Sequence, residues 1–375
     1  MSKLKIAYIG QRGVPPTFGG IERYVDEIVK RLPQEEVETY SYCRRHYVED
    51  NYVNYTKQLF TPSLETKGFE AFSHSFFSAI DSLRHSFDII HFQALGPSLF
   101  TCIPKIKGTK IVVTIHGLDW QRAKWGRMAK FILKSGDWMA GHTASALISV
   151  SKNLKRYYEN KYKTDVFFVP IGFSEPKIVE INEINRKFGL KPFKYILFLN
   201  RLVPEKGVHY LIEAFKGIKR DDFKLVVAGS TFQGDTYIEY IKNLAKDDER
   251  IVFTDYVSRD EVHELYSNAY FFALPSELEG MPAVVLESLS HKCPVLVSDI
   301  EENLDVIKRD GEVYGFIFKN KDVSDIKKQM IYLLEHPEIV NNIRQPGHDF
   351  VYKEYSWDKA VKTTYEIYKT IAGEL

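Results

Sequence analysis

The chain has 375 residues, with 51 lysines and arginines against 50 aspartates and glutamates. One core rarely supports more than about 250 to 300 residues, so this length predicts two domains. The net charge of +1 excludes a general attraction to nucleic acid, and three cysteines without paired spacing argue against a disulfide framework or a structural zinc site. No apolar run approaches the roughly 18 residues of a membrane-spanning helix, and the N-terminus lacks a signal peptide's apolar core. We expect a cytoplasmic protein, at most peripheral on the membrane's cytoplasmic face.

The chain opens with a pattern of strand, glycine-rich loop and helix. Residues 5–9 predict a strand, residues 21–32 predict a helix, and the loop between them ends in Gly19 and Gly20. Glycines at a helix start leave bare amides that bind phosphate or other anions. The spacing does not match the dinucleotide fingerprint, and an ordinary structural turn is the competing interpretation. Arg12 and Glu22 flank the loop as candidate substrate contacts or as solvated side chains.

Further apolar runs continue the first half at 38–43, 89–93, 111–115, 146–150 and 166–169, with a periodic aromatic stretch at 69–83. Strands that alternate with helices indicate a parallel sheet. His116 and Gly117 directly follow the run 111–115, and open parallel sheets bind ligands at the carboxyl ends of their strands. This position favours a structural and a catalytic role for His116 about equally.

A basic and aromatic segment spans residues 120–138. Its cations alternate at helical spacing with apolar side chains, which predicts an amphipathic helix. Such a helix can lie in a membrane interface or hold an anionic headgroup, and it can equally pack its apolar stripe on the sheet. Its first half is our candidate contact for an acceptor or a membrane: Trp120, Arg122, Lys124, Trp125 and Arg127.

The alternation of strands and helices restarts at 195–199, after a hinge near Gly172, and this predicts a second Rossmann-like domain. Its first loop contains Arg201 and Lys206. A guanidinium can hold two phosphate oxygens and a lysine adds a point charge, so the pair fits a diphosphate, although loop cations are often only solvated. The strands at 224–228 and 250–253 lead into residues where a nucleotide base could stack or meet backbone groups: Gly229, Tyr256 and Val257.

The most informative stretch is 270–299, whose pattern is a buried strand, an acidic loop, a helix and a second buried strand. Pro282 fixes a backbone angle suited to a first helical turn. Glu279 and Glu287 frame the end of the strand. A ligand's hydroxyl groups can donate to these carboxylates while helix-start amides take its anion. The competing interpretation is an ordinary βαβ unit with solvated glutamates.

Three motifs in this order resemble those of retaining nucleotide-sugar-dependent glycosyltransferases, the family often called family 4: Gly19 to Glu22, Arg201 with 204–207, and 275–287. The resemblance implies an α/β fold of the GT-B type, in which two Rossmann-like domains with parallel sheets face each other across a cleft. It implies an N-terminal acceptor domain at 1–171, completed by a C-terminal helix at 357–375, and a nucleotide-sugar donor domain at 172–356.

The resemblance also implies roles for the candidate residues. In the catalytic set, His116 and Glu279 contact the transferred sugar, while Arg201 and Lys206 hold the diphosphate. Glu287 binds the ribose. The remaining donor-binding residues are Gly19, Gly20, Gly229, Tyr256, Val257, Gly280, Met281 and Pro282. Met281 departs from the aromatic or larger pattern common in the family, which leaves the identity of the sugar open.

We expect no cofactor and no metal, because the paired aspartates of metal-using glycosyltransferases are not evident and fixed cations can replace a divalent ion. The runs 9–25 and 116–126 are similar to bacterial polysaccharide-assembly enzymes, several of which are rhamnosyltransferases. That similarity implies dTDP-rhamnose as donor and a saccharide on a lipid diphosphate as acceptor. Two alternatives stay open, namely a nucleotide-sugar epimerase of the same architecture and a non-catalytic subunit that binds nucleotide sugar.

Overall fold

A computed structural model describes residues 3–17, 19–48, 53–64, 66, 69–121, 125–173, 175–230 and 236–373. The chain divides into two compact units. Unit 1 comprises Met1–Gly172 and Trp357–Leu375, and unit 2 comprises Phe173–Ser356. Each unit is a parallel sheet with helices connecting its strands, which confirms the predicted α/β fold with two parallel sheets.

Within the described ranges, the sheet of unit 1 has seven parallel strands in the order β3-β2-β1-β4-β5-β6-β7. The strands are β1 (Leu4–Ile9), β2 (Val37–Cys43), β3 (Lys57–Phe60), β4 (Ile89–Gln93), β5 (Lys110–Ile115), β6 (Ala146–Ser149) and β7 (Val166–Phe168). The sequence pattern does not predict β3, because this edge strand has no buried residue and so lacks the apolar run of its neighbours.

The helices of this first segment are α1 (Gly20–Arg31), α2 (Glu70–Asp81), α3 (Leu95–Ser98), α4 (Cys102–Lys105), α5 (Arg127–Thr143) and α6 (Lys152–Tyr162). The predicted helix over 120–138 is wrong at its start. Gly126 has an extended backbone (φ −69°, ψ 171°), so α5 begins at Arg127, and Asp119–Gln121 forms a separate 3₁₀ turn.

Unit 2 has a second parallel sheet, whose described strands lie in the order β10-β9-β8-β11-β12-β15. They are β8 (Tyr195–Leu199), β9 (Lys224–Ala228), β10 (Ile251–Asp255), β11 (Phe271–Leu274), β12 (Val295–Ser298) and β15 (Phe316–Phe318). A small antiparallel pair, β13 (Lys308–Arg309) and β14 (Glu312–Val313), lies outside this sheet. The three-residue β15 is too short for its pattern to predict a strand.

The helices of unit 2 are α7 (Glu183–Phe188), α8 (Val208–Lys216), α9 (Thr236–Ala245), α10 (Arg259–Asn268), α11 (Ala283–Ser290), α12 (Glu301–Ile307), α13 (Val323–Glu335), α14 (Pro337–Asn342) and α15 (Arg344–Glu354). Pro282 occupies the position before α11 rather than its first turn. The helix therefore begins one residue later than predicted, and it still starts directly after the acidic loop.

The last helix, α16 (Trp357–Ala372), packs in unit 1. It contacts α1, and its side chains Ala360, Val361 and Tyr368 join a core with Ile6 of β1 and Val25 of α1. Each fully buried aliphatic or aromatic side chain of such a core contributes about 1.5 to 3 kcal/mol. No described helix is long and apolar enough to cross a bilayer.

Candidate active site

Both sheets reverse their strand order at one point. In unit 2 the chain runs outward through β8, β9 and β10 and then returns to place β11 on the other side of β8. In unit 1 the same reversal separates β1 from β4. Open parallel sheets bind ligands beyond the carboxyl ends of the strands at such a reversal. We call the loops 200–207 and 275–282 the unit 2 edge. The unit 1 edge consists of residues 10–17, Gly19, Gly20, Gln93, Ala94 and His116.

The two loops of the unit 2 edge touch at Gly207, directly before α8. Gly207 has φ +67°, and a Cβ atom there would lie 2.0 Å from the carbonyl oxygen of Pro275. Only glycine allows this approach without strain. The Glu277 amide also donates to the Glu205 carbonyl oxygen at 2.9 Å. The loops after β8 and β11 therefore form one continuous surface.

Lys206 and Glu279 form an ion pair at the unit 2 edge. Lys206 Nζ lies 2.5 Å from Glu279 Oε1, and less than a tenth of either side chain is exposed. Ser276 Oγ donates to the same carboxylate oxygen at 2.7 Å. The structure thus brings two sequence-predicted residues together and adds Ser276, whose only signal in the sequence is its place at a strand end three residues before Glu279.

Arg201 lies in the same loop as Lys206 but is exposed, and its amide donates to Asn200 Oδ1 at 2.8 Å. Gly229, at the end of β9, has φ +126°, and a Cβ atom there would lie 2.0 Å from the Asn200 carbonyl oxygen. Gly229 therefore lets the loop after β9 pack on the Arg201 loop. Tyr256, which is 81% exposed, and the half-buried Val257 follow β10, two strands away from β8.

The acidic loop continues into α11 through Gly280, Met281 and Pro282, of which Met281 and Pro282 are buried. Glu287 lies in the second turn of α11 and is half-buried. Because Glu279 is in the loop and Glu287 is on the helix, the two predicted carboxylates have different surroundings.

Glu277 is a residue of this edge that the sequence interpretation missed. Its carboxylate accepts from the Tyr210 hydroxyl at 2.8 Å and pairs with Lys321 Nζ at 2.6 Å. These partners come from α8 and from the turn after β15. They hold the acidic loop at a point next to Ser276, and no local sequence signal could have linked residues so far apart.

At the unit 1 edge, Gly19 is the residue before α1, with φ +106°. A Cβ atom there would lie 2.0 Å from Glu22 Oε2, and Glu22 Oε1 accepts from the Arg12 amide at 3.1 Å. Glu22 is buried and therefore supports the backbone of the glycine loop, while Gly19 and Gly20 are exposed. The guanidinium of Arg12 lies 5.3 Å from the centre of the Tyr47 ring.

His116 follows β5 and is held on two sides. Its Nε2 lies 2.9 Å from Gln93 Oε1, and its ring meets Tyr24 edge-on, with 5.1 Å between ring centres. Burial lowers the pKa of His116 to about 3. The imidazole is therefore neutral at physiological pH and can exchange hydrogen bonds but carries no charge.

The segment after His116 is described in part. Trp120 lies in the 3₁₀ turn, 5.1 Å from Lys134 Nζ, Trp125 is half-buried before α5, and Arg127 is the exposed first residue of α5. Arg122 and Lys124 lie outside the described residues. Across the described ranges, no three His, Cys, Asp or Glu side chains come together in a way that could hold a metal ion.

Two family models match the chain in tandem. The Glycosyltransferase Family 4 model matches residues 18–173, and the model for glycosyl transferases group 1 matches residues 180–349. An uncharacterized glycosyltransferase of Methanocaldococcus jannaschii is 25% identical over 362 residues, which is 95% of this chain and 96% of the relative. The UDP-Gal:alpha-D-GlcNAc-diphosphoundecaprenol alpha-1,3-galactosyltransferase of Escherichia coli is 25% identical over 356 residues, or 88% of each chain.

Solved structures share the whole fold. Sucrose-phosphate synthase from Thermosynechococcus elongatus has a TM-score of 0.83 at 16% identity and covers 100% of both chains. Anabaena HepE, solved with UDP and glucose, has a TM-score of 0.77 at 14% identity and covers 98% of this chain and 100% of its own. Together with the family models, these likenesses identify the chain as a family 4-like glycosyltransferase with the GT-B fold.

Proposed function

We propose that the protein transfers a sugar with retention of configuration from a nucleoside diphosphate donor, and that unit 2 binds this donor. The observation that carries the proposal is the Lys206–Glu279 ion pair between β8 and β11. This pair brings a cation and a carboxylate together at one strand reversal, and we propose that they serve the phosphate and the sugar hydroxyls of the donor. HepE was solved with UDP, a nucleoside diphosphate, which is the part of the donor that we propose unit 2 holds.

The diphosphate is the leaving group, so negative charge grows on it during transfer. In the proposed arrangement, exposed Arg201, Lys206 and the amides at the start of α8 stabilise that charge. Arg201 can hold two phosphate oxygens, and the amides add their dipoles. We propose that these fixed cations act without a divalent metal ion.

In this proposal the carboxylate of Glu279 accepts hydrogen bonds from hydroxyls of the transferred sugar. It is already shared by Lys206 and Ser276. We therefore favour attack by the acceptor from the face of the leaving group, with a diphosphate oxygen taking the acceptor's proton, over attack by Glu279 itself. Glu287 in this proposal binds the ribose, and Tyr256 with Val257 contacts the base.

The acceptor in this proposal is a saccharide on a lipid diphosphate, bound by unit 1 in cell-surface polysaccharide synthesis. The name of the Escherichia coli relative includes such an acceptor for that enzyme. L-rhamnose from dTDP-rhamnose is the first donor to test, because the runs 9–25 and 116–126 resemble bacterial polysaccharide-assembly enzymes, several of which are rhamnosyltransferases.

We propose that α5 contacts an anionic membrane that contains this acceptor. Its outward apolar side chains are well exposed, Met128 by 73%, Phe131 by 68% and Trp138 by 54%, and exposed Arg127 and Lys134 lie beside them. Aromatic and basic side chains on one helix favour an anionic bilayer surface. The protein should sediment with vesicles that contain phosphatidylglycerol and not with neutral vesicles. Equal sedimentation with both would contradict membrane contact through these cations.

The decisive experiment incubates the full-length protein with a panel of nucleotide sugars, with and without a lipid-diphosphate-linked saccharide. Transfer predicts release of nucleoside diphosphate that accelerates when acceptor is added, and the product linkage shows retention or inversion. Conversion of the nucleotide sugar into an isomer without release would support the epimerase alternative. Binding without either reaction would support a non-catalytic subunit.

A further inference from the structure

The carboxamide of Gln93 lies behind His116 at the unit 1 edge. Gln93 is the last residue of β4 and is completely buried, and its Oε1 is 2.9 Å from His116 Nε2. Its Nε2 is also buried and has no hydrogen-bond partner among the described residues. An unsatisfied buried donor is unfavourable, so stability alone does not account for this amide.

The backbone around Gln93 is held in an unusual conformation. Ala94 has φ +68°, which is uncommon for a residue with a side chain, and its amide donates to the Thr114 carbonyl oxygen at 2.9 Å. Gly10 approaches so closely that a Cβ atom there would lie 2.6 Å from the Gln93 carbonyl oxygen. Backbone strain of this kind is common at functional sites, and here it holds the Cα and Cβ atoms of Gln93 in one position.

The contact between Gln93 and His116 determines where the imidazole carries its proton. A carboxamide oxygen can only accept, so His116 Nε2 must carry the hydrogen. In the neutral ring, Nδ1 then has a lone pair. The edge-on contact with Tyr24 restricts rotation of the His116 ring from a second direction. Among the described residues, no hydrogen bond to Nδ1 is formed, which leaves this acceptor for a ligand.

We propose that Gln93 is a positioning residue that fixes His116 as the Nε2–H tautomer, so that Nδ1 accepts a hydrogen bond from a sugar hydroxyl. The inference rests on the proposed function, because it gives His116 a sugar to bind. It adds that the sugar group next to His116 Nδ1 must be able to donate a hydrogen bond. A donor sugar that lacks this hydroxyl, or carries a methoxy group there, should therefore be transferred more slowly.

The first test needs no substrate. Nitrogen-15 NMR of the full-length protein should show His116 as the neutral Nε2–H tautomer from pH 8 to pH 5. Gln93→Leu, which removes the acceptor, should change the ring nitrogen shifts of His116. A matched control is Gln11→Leu, which also removes a fully buried amide but one that donates to the Tyr8 and Tyr42 carbonyl oxygens instead. An Nδ1–H tautomer in the wild type would overturn the proposal.

The second test uses transfer kinetics and the variant Gln93→Glu. Gln93→Leu should lower kcat about tenfold, the effect of about one hydrogen bond. Gln93→Glu retains an acceptor for Nε2–H and should restore most of the rate at pH 8. The new carboxylate also favours imidazolium, which cannot accept at Nδ1, so this variant should lose activity as the pH falls towards 6. A purely structural role for Gln93 predicts the same pH profile for both variants.

The outcomes separate this inference from the proposed function. If the wild type is active and Gln93→Leu has a normal kcat, the result contradicts the positioning role of Gln93 but not the proposed function. A wild type that transfers no sugar from any donor would contradict the proposed function, while the tautomer measurement would still decide whether Gln93 sets the state of His116.

Discussion

The two sheets reverse their strand order in the same way but carry different chemistry at that point. The unit 2 edge presents charge, because Lys206 and Glu279 form a buried ion pair there and Arg201 is exposed beside it. The unit 1 edge presents a neutral His116, whose pKa is lowered to about 3 by burial, and exposed glycines. One topology therefore carries two kinds of chemistry, which in our proposal serve a phosphate group through charge and sugar hydroxyls through uncharged hydrogen bonds.

The largest effect should come from removing the cation of the buried pair. Lys206→Ala leaves the carboxylate of Glu279 without its cation, and such a change costs about 3 to 5 kcal/mol of unfolding free energy. We also expect a loss of about 10²- to 10³-fold in kcat, the size seen for a lost electrostatic donor. Urea unfolding and transfer assays measure the two effects.

The double variant Lys206→Ala with Glu279→Ala should regain most of the stability without regaining transfer. Lys321→Ala is the matched control, because its pair with Glu277 is partly exposed and should contribute no more than about 1 kcal/mol. Comparable destabilisation by Lys321→Ala and Lys206→Ala would contradict the larger contribution to stability that we assign to the buried pair.

Arg201→Ala should affect catalysis and leave stability unchanged, since the side chain is exposed. We expect a loss of about 2 to 4 kcal/mol in transition-state stabilisation, measured as kcat/KM. Arg186→Ala removes another exposed arginine of unit 2, which pairs with Glu183 on α7 away from this edge, and should leave kcat/KM near the wild-type value. Near-normal turnover of Arg201→Ala would refute its role on the diphosphate.

Acid should weaken unit 1 more than unit 2. Burial lowers the pKa of three unit 1 histidines, His91 and His116 to about 3 and His74 to about 4. Among the described histidines of unit 2, burial lowers the pKa of His291 to about 4 and also lowers that of the half-buried His209. When the pKa of a histidine is lower in the folded protein than its unfolded value of about 6.5, the histidine contributes its full stabilisation above about pH 6.5. Acidification to pH 5 lowers the free energy of unfolding by about 2 kcal/mol for each histidine whose folded-state pKa is about 3 to 4.

Hydrogen exchange, corrected for the intrinsic effect of pH, should therefore show unit 1 amides losing more protection than unit 2 amides between pH 7 and pH 5. Carboxyl groups whose pKa is lowered act below this window, whereas burial raises the pKa of Asp26 in unit 1, so its protonation offsets a part of the loss there. Glu261, whose pKa is lowered to about 2 mainly by its hydrogen bond from Lys187, begins to lose its stabilising effect only below about pH 4.5. Equal loss in both units would contradict the prediction.

The smallest effect concerns the glycine loop of unit 1. Gly19→Ala should cost about 1 to 3 kcal/mol, because φ +106° is strained for alanine and the new methyl group displaces Glu22 from the Arg12 amide. Gly20→Ala is the matched control, since a Cβ atom at this first residue of α1 meets nothing within 4 Å. Thermal unfolding should show Gly20→Ala at or slightly above wild-type stability. Equal melting temperatures for the two variants would contradict this assignment.

Most of the fold could be predicted because buried parallel strands leave continuous apolar runs. The runs 195–199 and 89–93 coincide with β8 and β4. Edge strands leave a weaker pattern, so the sequence does not predict β3, and the periodicity over 120–138 does not reveal that the backbone of Gly126 delays the start of α5 to Arg127. Local pattern reasoning detects burial, and it fails where a strand is exposed or a single backbone angle ends a periodic segment.

The site residues could be named from sequence, but their arrangement could not. Lys206 and Glu279 were both candidates, yet they are separated by 73 residues and meet only because β8 and β11 are neighbours in the sheet. Sequence reasoning does not find the roles of Glu277 and Gln93 for the same reason, since each acts through a partner from another element of the sheet or its helices. Sheet order is the information that the linear pattern lacks.

We propose that unit 2 holds a donor diphosphate with side-chain cations and needs no divalent ion. Calorimetric titration of the full-length protein with UDP, dTDP and ADP in the presence of EDTA tests this directly, in parallel with Arg201→Ala. We expect that at least one of these nucleotides binds in EDTA and that Arg201→Ala weakens its affinity by about 30-fold or more. Binding that requires added Mg²⁺, or equal affinity of the two proteins, would contradict it.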